Sequence, residues 1–230
     1  MTSTRLPGKV MHTVKGKPLL HYHIERLLKT GIEIAIATTT NKEDDCIADF
    51  AQKNNIKIHR GSEKNVLSRY FEAAKKFHFD VVVRVTSDCP LIDPSLIKEG
   101  VEKYLEMDNP NMYMSNCIER TFARGFDFEI FSFRSLTEAF YNATAESELE
   151  HVTPYIRENN SGSIVNYSIR QPDDNGSLRV TVDTPEDLEL IRQLIEIYNA
   201  DNLPYSEIEK LLIAHPELSA INAQIIQKKD

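Results

Sequence analysis

Two aspartates close apolar, β-branched runs, and each is followed by a Pro-started segment. One run is VVVRVTSDCPLI, residues 81–92, and the other is LRVTVDTP, residues 178–185. They put Asp88 and Asp183 in equivalent positions. Two bare carboxylates brought together repel, so that one would resist ionising. A shared Mg2+ removes that difficulty, because it takes one or two carboxylates plus phosphate oxygens. Asp88 and Asp183 are therefore the candidate metal ligands, although either alone reads equally well as the cap of the segment after it. The phosphate-binding chemistry comes from the stretch TSTRLPGK, residues 2–9. Small residues and the Pro7-Gly8 turn let a backbone approach an anion, and successive amide groups form an anion-binding concavity. Arg5 adds a planar fork and Lys9 a point charge. Ser3, Thr4, Arg5 and Lys9 are the candidate phosphate ligands; by itself the stretch also reads as a frayed terminus.

These groups need elements to position them. Leu19, Leu20, Ile24, Leu27 and Leu28 have helical spacing up to Gly31, and residues 34–38 form a buried-type strand. A helix with Ile47, Phe50 and Ala51 on its face follows Asn41, with Asp44 and Asp45 as helix-start acids. Then come a short strand at 56–58, a helix over 66–77 and the strongest strand signal at 81–86. Asp93-Pro94 starts another helix. Strands alternating with helices of this length imply βαβ units and a mostly parallel sheet flanked by helices. In such sheets ligands bind beyond the carboxyl ends of the strands. Both aspartates belong there, and so does Thr38. From Met112 the rhythm changes: strands are expected at 112–115, 126–133 and 164–169, and one helix over 146–158. The expectation is a single domain, 1–230, with a β-rich insertion at about 112–170 that covers the mouth of the sheet. A core strand at 178–182 and a helix begun by Thr184-Pro185 follow.

Composition narrows the function. The 230 residues are 41% apolar, with a formal net charge of −8. That disfavours a broad nucleic-acid surface, so a basic site must be local and fit a small anion. No apolar run approaches the ~18 residues of a membrane span, and no secretory signal is evident. Three separated cysteines without a CxxC point to free thiols in a reducing cytoplasm.

STRLPGK (3–9), RGSE (60–63), TSDCPLI (86–92), RGFDFE (124–129), EHVTPY (150–155) and VDTPEDL (182–188) occur together and in this order. The combination resembles the cytidylyltransferase family of spore coat polysaccharide biosynthesis protein F, related to the CMP-Kdo and CMP-acylneuraminate synthetases. The likeness runs from the first residues to HPEL (215–218) and Ile221-Asn222 in the tail. It implies a Rossmann-like nucleotide-diphospho-sugar transferase fold and transfer of CMP from CTP to a sugar, with pyrophosphate released. By position it implies that Arg5 and Lys9 hold the β- and γ-phosphates, Asp88 and Asp183 hold Mg2+, and Arg124, Asp127 and Glu129 face the sugar. It also implies a homodimer, here through the insertion.

The residues themselves leave some roles open. The alternation around Asp127 and Glu129 also fits a solvent face. His151 reads as a helix-surface or satisfied histidine, or as a group reaching the sugar or a proton. Arg60 with Ser62 is placed for nucleotide contact, and Arg69 for a carboxylate partner. No residue declares itself as the general base. The combined expectation is a Mg2+-dependent cytidylyltransferase that activates an acidic 3-deoxy-ulosonic or related sugar. The rivals are an enzyme using another NTP or sugar, and a catalytically weak nucleotide-binding protein. In the family pattern a strand precedes the phosphate loop, and Met1 falls where relatives have an internal residue. The expectation is therefore a chain that starts late and lacks its first strand.

Overall fold

The structure, a computed structural model, describes residues 5–226. Its strands are β1 Thr13–Val14, β2 Lys17–Pro18, β3 Ala35–Thr39, β4 Lys57–Gly61, β5 Val81–Arg84, β6 Met112–Ser115, β7 Glu129–Ser132 and β8 Val165–Ser168. Its helices are α1 Leu19–Leu28, α2 Asp45–Lys53, α3 Val66–Phe77, α4 Pro94–Glu106, α5 Phe133–Asn142, α6 Glu146–His151, α7 Pro154–Arg157, α8 Pro185–Glu196, α9 Tyr205–Ala214 and α10 Pro216–Ala220. None of the described helices is long and apolar enough to cross a membrane.

The architecture is the expected α/β one. β3 pairs in parallel with β4. β5, β7, β6 and β8 form a second hydrogen-bonded group in that order. β7 runs antiparallel to β5 and β6, and β6 runs parallel to β8. β5, β6 and β8 thus share one direction and β7 opposes it. Neighbouring residues of a strand point to opposite faces. Ile130 and Met114 accordingly enter the larger core, with Leu19, Leu91, Phe128 and Val182, whereas Phe131 and Tyr113 enter a second core with Leu67, Phe71 and Leu136. A sheet buried on both faces needs the helices that alternate with it, and each fully buried Leu, Ile or Phe contributes about 1.5–3 kcal/mol.

The middle segment does more than cover the sheet, because β6, β7 and β8 extend it from β5. The strand expected at 126–133 is confined to β7, all four residues of which are buried. The single helix expected over 146–158 is two helices, broken at Val152, where φ is 74°. Pro154 takes the first position of α7, where its missing N–H costs nothing. The strand expected at 178–182 is a lone bridge between Arg124 and Arg179. The Arg124 amide donates to the Leu178 carbonyl at 2.9 Å, and the Val180 amide to the Arg124 carbonyl at 2.7 Å.

Among the described residues, β3 pairs only with β4 and β5 only with β7. Their facing flanks line an apolar cavity of about 220 Å³, closed by Ile24 and Leu27 of α1 and by Ala73 and Ala74 of α3.

Candidate active site

Asp88 lies in the turn after β5, and two neighbours clamp that turn. The Val182 amide donates to the Asp88 carbonyl at 2.8 Å. Nδ1 of the buried His23 donates to the Cys89 carbonyl at 2.8 Å. Asp183 precedes α8 and is held from behind: Arg179 reaches Asp183 Oδ2 at 2.8 Å and grips Asp187 with Nε and Nη2 at 2.8 and 2.9 Å. Asp187 also caps the entry to α8 by accepting the amides of Asp183 and Thr184. It is thus a fully buried anchor.

The loop meets these carboxylates from the other side. Gly8, at φ 67°, turns the chain so that Lys9 opens a 3-10 turn and points inward. Lys9 Nζ lies 2.7 Å from Asp88 Oδ2 and 2.6 Å from Asp183 Oδ1, and Arg5 Nη2 lies 3.1 Å from Asp183 Oδ2. Burial opposes the ammonium, but Asp88 and Asp183 outweigh it and hold Lys9 above its usual pKa. Burial likewise opposes the Asp183 carboxylate, but Lys9 and Arg179 hold it below its usual range. One cation thus already bridges the two carboxylates. Lys9 Nζ marks a place for one positive charge between the pair. The described residues contain no cluster of three or more metal-ligating side chains. A two-carboxylate site suits Mg2+, which keeps waters and takes phosphate oxygens.

Two basins flank this centre. The larger, about 620 Å³, is lined by Lys9, Thr38, Thr39, Asp44, Glu63 and Arg69; the smaller, about 330 Å³, by Arg84, Arg120, Arg124, Asp127, Glu129, Thr153 and Arg157. Arg5, Asp88, His151 and Asp183 line both. Glu129 is buried beneath the smaller basin. It accepts from Tyr113 Oη at 2.5 Å, from Thr153 Oγ1 at 2.6 Å and from Arg84. Burial opposes its charge, yet Arg84, Thr153 and Tyr113 hold it ionised below its usual range. Arg120 grips Asp127 with two bonds of 2.6 and 2.9 Å. Arg124 makes no side-chain ion pair among the described residues. Burial and the neighbouring cations Arg120 and Arg179 lower its pKa.

The other expected site residues are distributed unevenly. Ser3 and Thr4 lie outside the described residues. Thr38 lines the larger basin, but its hydroxyl is bonded to Asp44 at 2.6 Å. Asp44, expected as an ordinary helix-start acid, is a buried acceptor for Thr38 and Thr39. Arg60 and Ser62 line neither basin. Arg60 binds the Thr39 and Asn41 carbonyls and Asp45, and Ser62 accepts the Asn65 amide. Asp127 and Glu129 face the same basin rather than solvent. Arg69 donates to the Ser62 carbonyl at 2.6 Å and has no ion pair among the described residues. Arg84, Arg120 and Arg157 escaped the sequence reading. Arg84 left a signal, a charge inside an otherwise apolar strand.

A family model described as cytidylyltransferase matches residues 1–217. The chain belongs to the cytidylyltransferase family. This cytidylyltransferase is 34% identical over 230 residues to an uncharacterized protein of Methanocaldococcus jannaschii, covering 98% of this chain and 92% of that one. It is 27% identical to the spore coat polysaccharide biosynthesis protein SpsF of Bacillus subtilis, covering 94% and 92%. A solved cytidylyltransferase from Leptospira borgpetersenii superposes with a TM-score of 0.89 at 31% identity, covering 99% of this chain and 95% of that one.

Proposed function

We propose that this cytidylyltransferase transfers CMP from CTP to a hydroxyl of an acidic sugar, releasing pyrophosphate, in the cytoplasm and for surface polysaccharide synthesis. The carrying observation is the wall of Arg5, Asp88, His151 and Asp183 between two basins. A reaction that joins two substrates needs such a junction. The larger basin takes the nucleotide and the smaller one the sugar. Asp88 and Asp183 would hold Mg2+, which supplies charge neutralisation for the triphosphate when bound. Arg5 and Lys9 orient the β- and γ-phosphates and stabilise the charge that develops on the leaving pyrophosphate. In the smaller basin Glu129 and Asp127 are neutralised by Arg84 and Arg120. Arg124 remains without an ion pair among the described residues, and Arg157 has only an exposed contact with Glu158 at 3.7 Å. Two arginines in excess favour a sugar carboxylate.

The test is pyrophosphate release with each of the four NTPs and with acidic and neutral sugars. Turnover is expected only with CTP and an acidic sugar. CTP binding without turnover of any sugar would leave a nucleotide-binding protein instead. We also propose a homodimer formed through the 112–170 segment, where Tyr141 and Val165 are exposed; light scattering on the eluted protein checks its mass.

A further inference from the structure

The link between α6 and α7 is the most strained point beside the site. Val152 has φ 74° and ψ −52°. The Thr153 amide donates to the His151 carbonyl at 2.9 Å. This is a three-residue γ-turn of the positive-φ form, which is rare and unfavourable, the more so for a β-branched residue. Such strain persists only where the surroundings over-determine it. They do so here. The Val152 side chain is fully buried in the second core, and its amide donates to the Glu148 carbonyl at 3.2 Å. Thr153 Oγ1 is tied to Glu129, itself fixed by Arg84 and Tyr113.

The turn carries His151 into the wall shared by the two basins. Of the four residues there, Arg5 is a permanent cation, and Asp88 and Asp183 are bridged by Lys9. His151 is the member whose ring nitrogen carries a lone pair for a proton. Among the described residues its ring has no hydrogen bond or ion pair. The charged groups that line the two basins with it are Arg5, Asp88 and Asp183 in the shared wall, Arg84, Arg120, Arg124, Asp127, Glu129 and Arg157 in the smaller basin, and Lys9, Asp44, Glu63, Arg69 and Glu150 in the larger.

We propose that His151 is the general base for the attacking sugar hydroxyl, with Val152, Thr153 and Glu129 as its positioning residues. This rests on the CMP-transfer reading. The hydroxyl O–H bond breaks and its proton passes to an imidazole nitrogen. The oxygen's electron pair forms the bond to the α-phosphorus of CTP. The bond from the α-phosphorus to its bridging oxygen breaks, and that pair leaves with pyrophosphate. The imidazolium then returns its proton to solvent.

The experiment is the pH profile of kcat for pyrophosphate release, with CTP affinity measured separately by calorimetry. In the parent chain kcat should rise with pH along a limb set by deprotonation of the base. His151→Gln should lower kcat by roughly 10²–10⁴-fold and abolish that limb, with CTP affinity unchanged. His151→Asn should behave likewise, and CTP binding by either variant shows that it has folded. Thr153→Val should lower kcat while keeping the limb, and Thr153→Ser should restore it. A parent chain that turns over sugar beside a His151→Gln variant with the same kcat and limb overturns this assignment alone. A parent chain that turns over no sugar overturns the transfer reading and this one together.

Discussion

At the scale of residues, the site is a set of charges already paired with one another. Lys9 bridges Asp88 and Asp183. On the proposed reading a triphosphate would draw Lys9 away and Mg2+ would replace it. Lys9→Met should therefore lower Tm in the absence of metal, because Asp88 then loses its paired cation while it faces Asp183. Added Mg2+ should raise Tm more in the variant than in the parent. CTP affinity should fall by roughly 10–150-fold, the loss of one charge-assisted bond of about 1.5–3 kcal/mol. Thermal shifts with and without Mg2+ and a CTP titration decide it; equal Mg2+ responses would count against Lys9 as the stand-in cation. His23 makes a second prediction. Its burial holds its pKa below the ordinary 6.5. The unfolded chain therefore binds a proton that the folded one resists. The stability is present in full above pH 6.5 and is lost as pH falls toward the lowered value. His23→Asn keeps a donor for the Cys89 carbonyl but cannot titrate. Measured without metal, its Tm should fall less than that of the parent between about pH 7 and about pH 5.

At the scale of elements, Gly125 decides where Arg124 sits. Its φ is 109°, and a Cβ there would lie 2.7 Å from the backbone carbon and 2.8 Å from a methyl of Val180. Gly125→Ala should therefore push apart the bridge that joins Arg124 to Arg179. We expect a loss of about 1–3 kcal/mol, as for overpacking, and a Tm lower by roughly 2–4 °C per kcal/mol. The KM for the sugar should rise while CTP affinity holds, and a change in CTP affinity instead would place Arg124 on the nucleotide side. The same elements show what the sequence made legible. The apolar spacing from Val66 to Phe77 marks α3, and residue type marks the Asp93 and Thr184 caps, whose side chains accept nearby amides. The α6–α7 break was not legible. Leu149, Val152 and Ile156 keep helical spacing across the γ-turn and all reach the second core, so periodicity runs straight through the bend. Asp88 and Asp183 were legible as strand-end acids before prolines. The Glu129 site was not, because Thr153 and Arg84 lie 24 and 45 residues away along the chain.

At the scale of the whole molecule, β3 and β5 flank an apolar seam. Each strand is hydrogen-bonded on one flank only among the described residues, and the two free flanks face one apolar cavity of about 220 Å³. Thr38 and Thr39 at the end of β3, and Ser87 and Asp88 just after β5, line the larger basin together. Both strands therefore run toward the site, and Arg5, Gly8 and Lys9 line that same basin. A strand lying in the seam parallel to both would deliver its carboxyl end toward that basin. The physical balance favours occupancy. Hydrogen bonds on both flanks add about 0.5–1.5 kcal/mol each, and two or three buried Val or Ile add about 1.5–3 kcal/mol each. Ordering five or six residues costs about 1–2 kcal/mol per residue. The prediction is that a Val- and Ile-rich segment of that length, fused ahead of Met1, raises Tm by about 5 °C or more, at 2–4 °C per kcal/mol. It should also tighten CTP binding, because the loop would then leave a fixed strand. A Gly/Ser segment of equal length has the same connectivity but no apolar side chains to fill the cavity, and should change neither quantity. If both segments act alike, the seam does not accept a strand. If only the apolar segment acts, and backbone amides of β3 and β5 gain protection from hydrogen exchange along with the rise in Tm, the two halves of the sheet are joined through it.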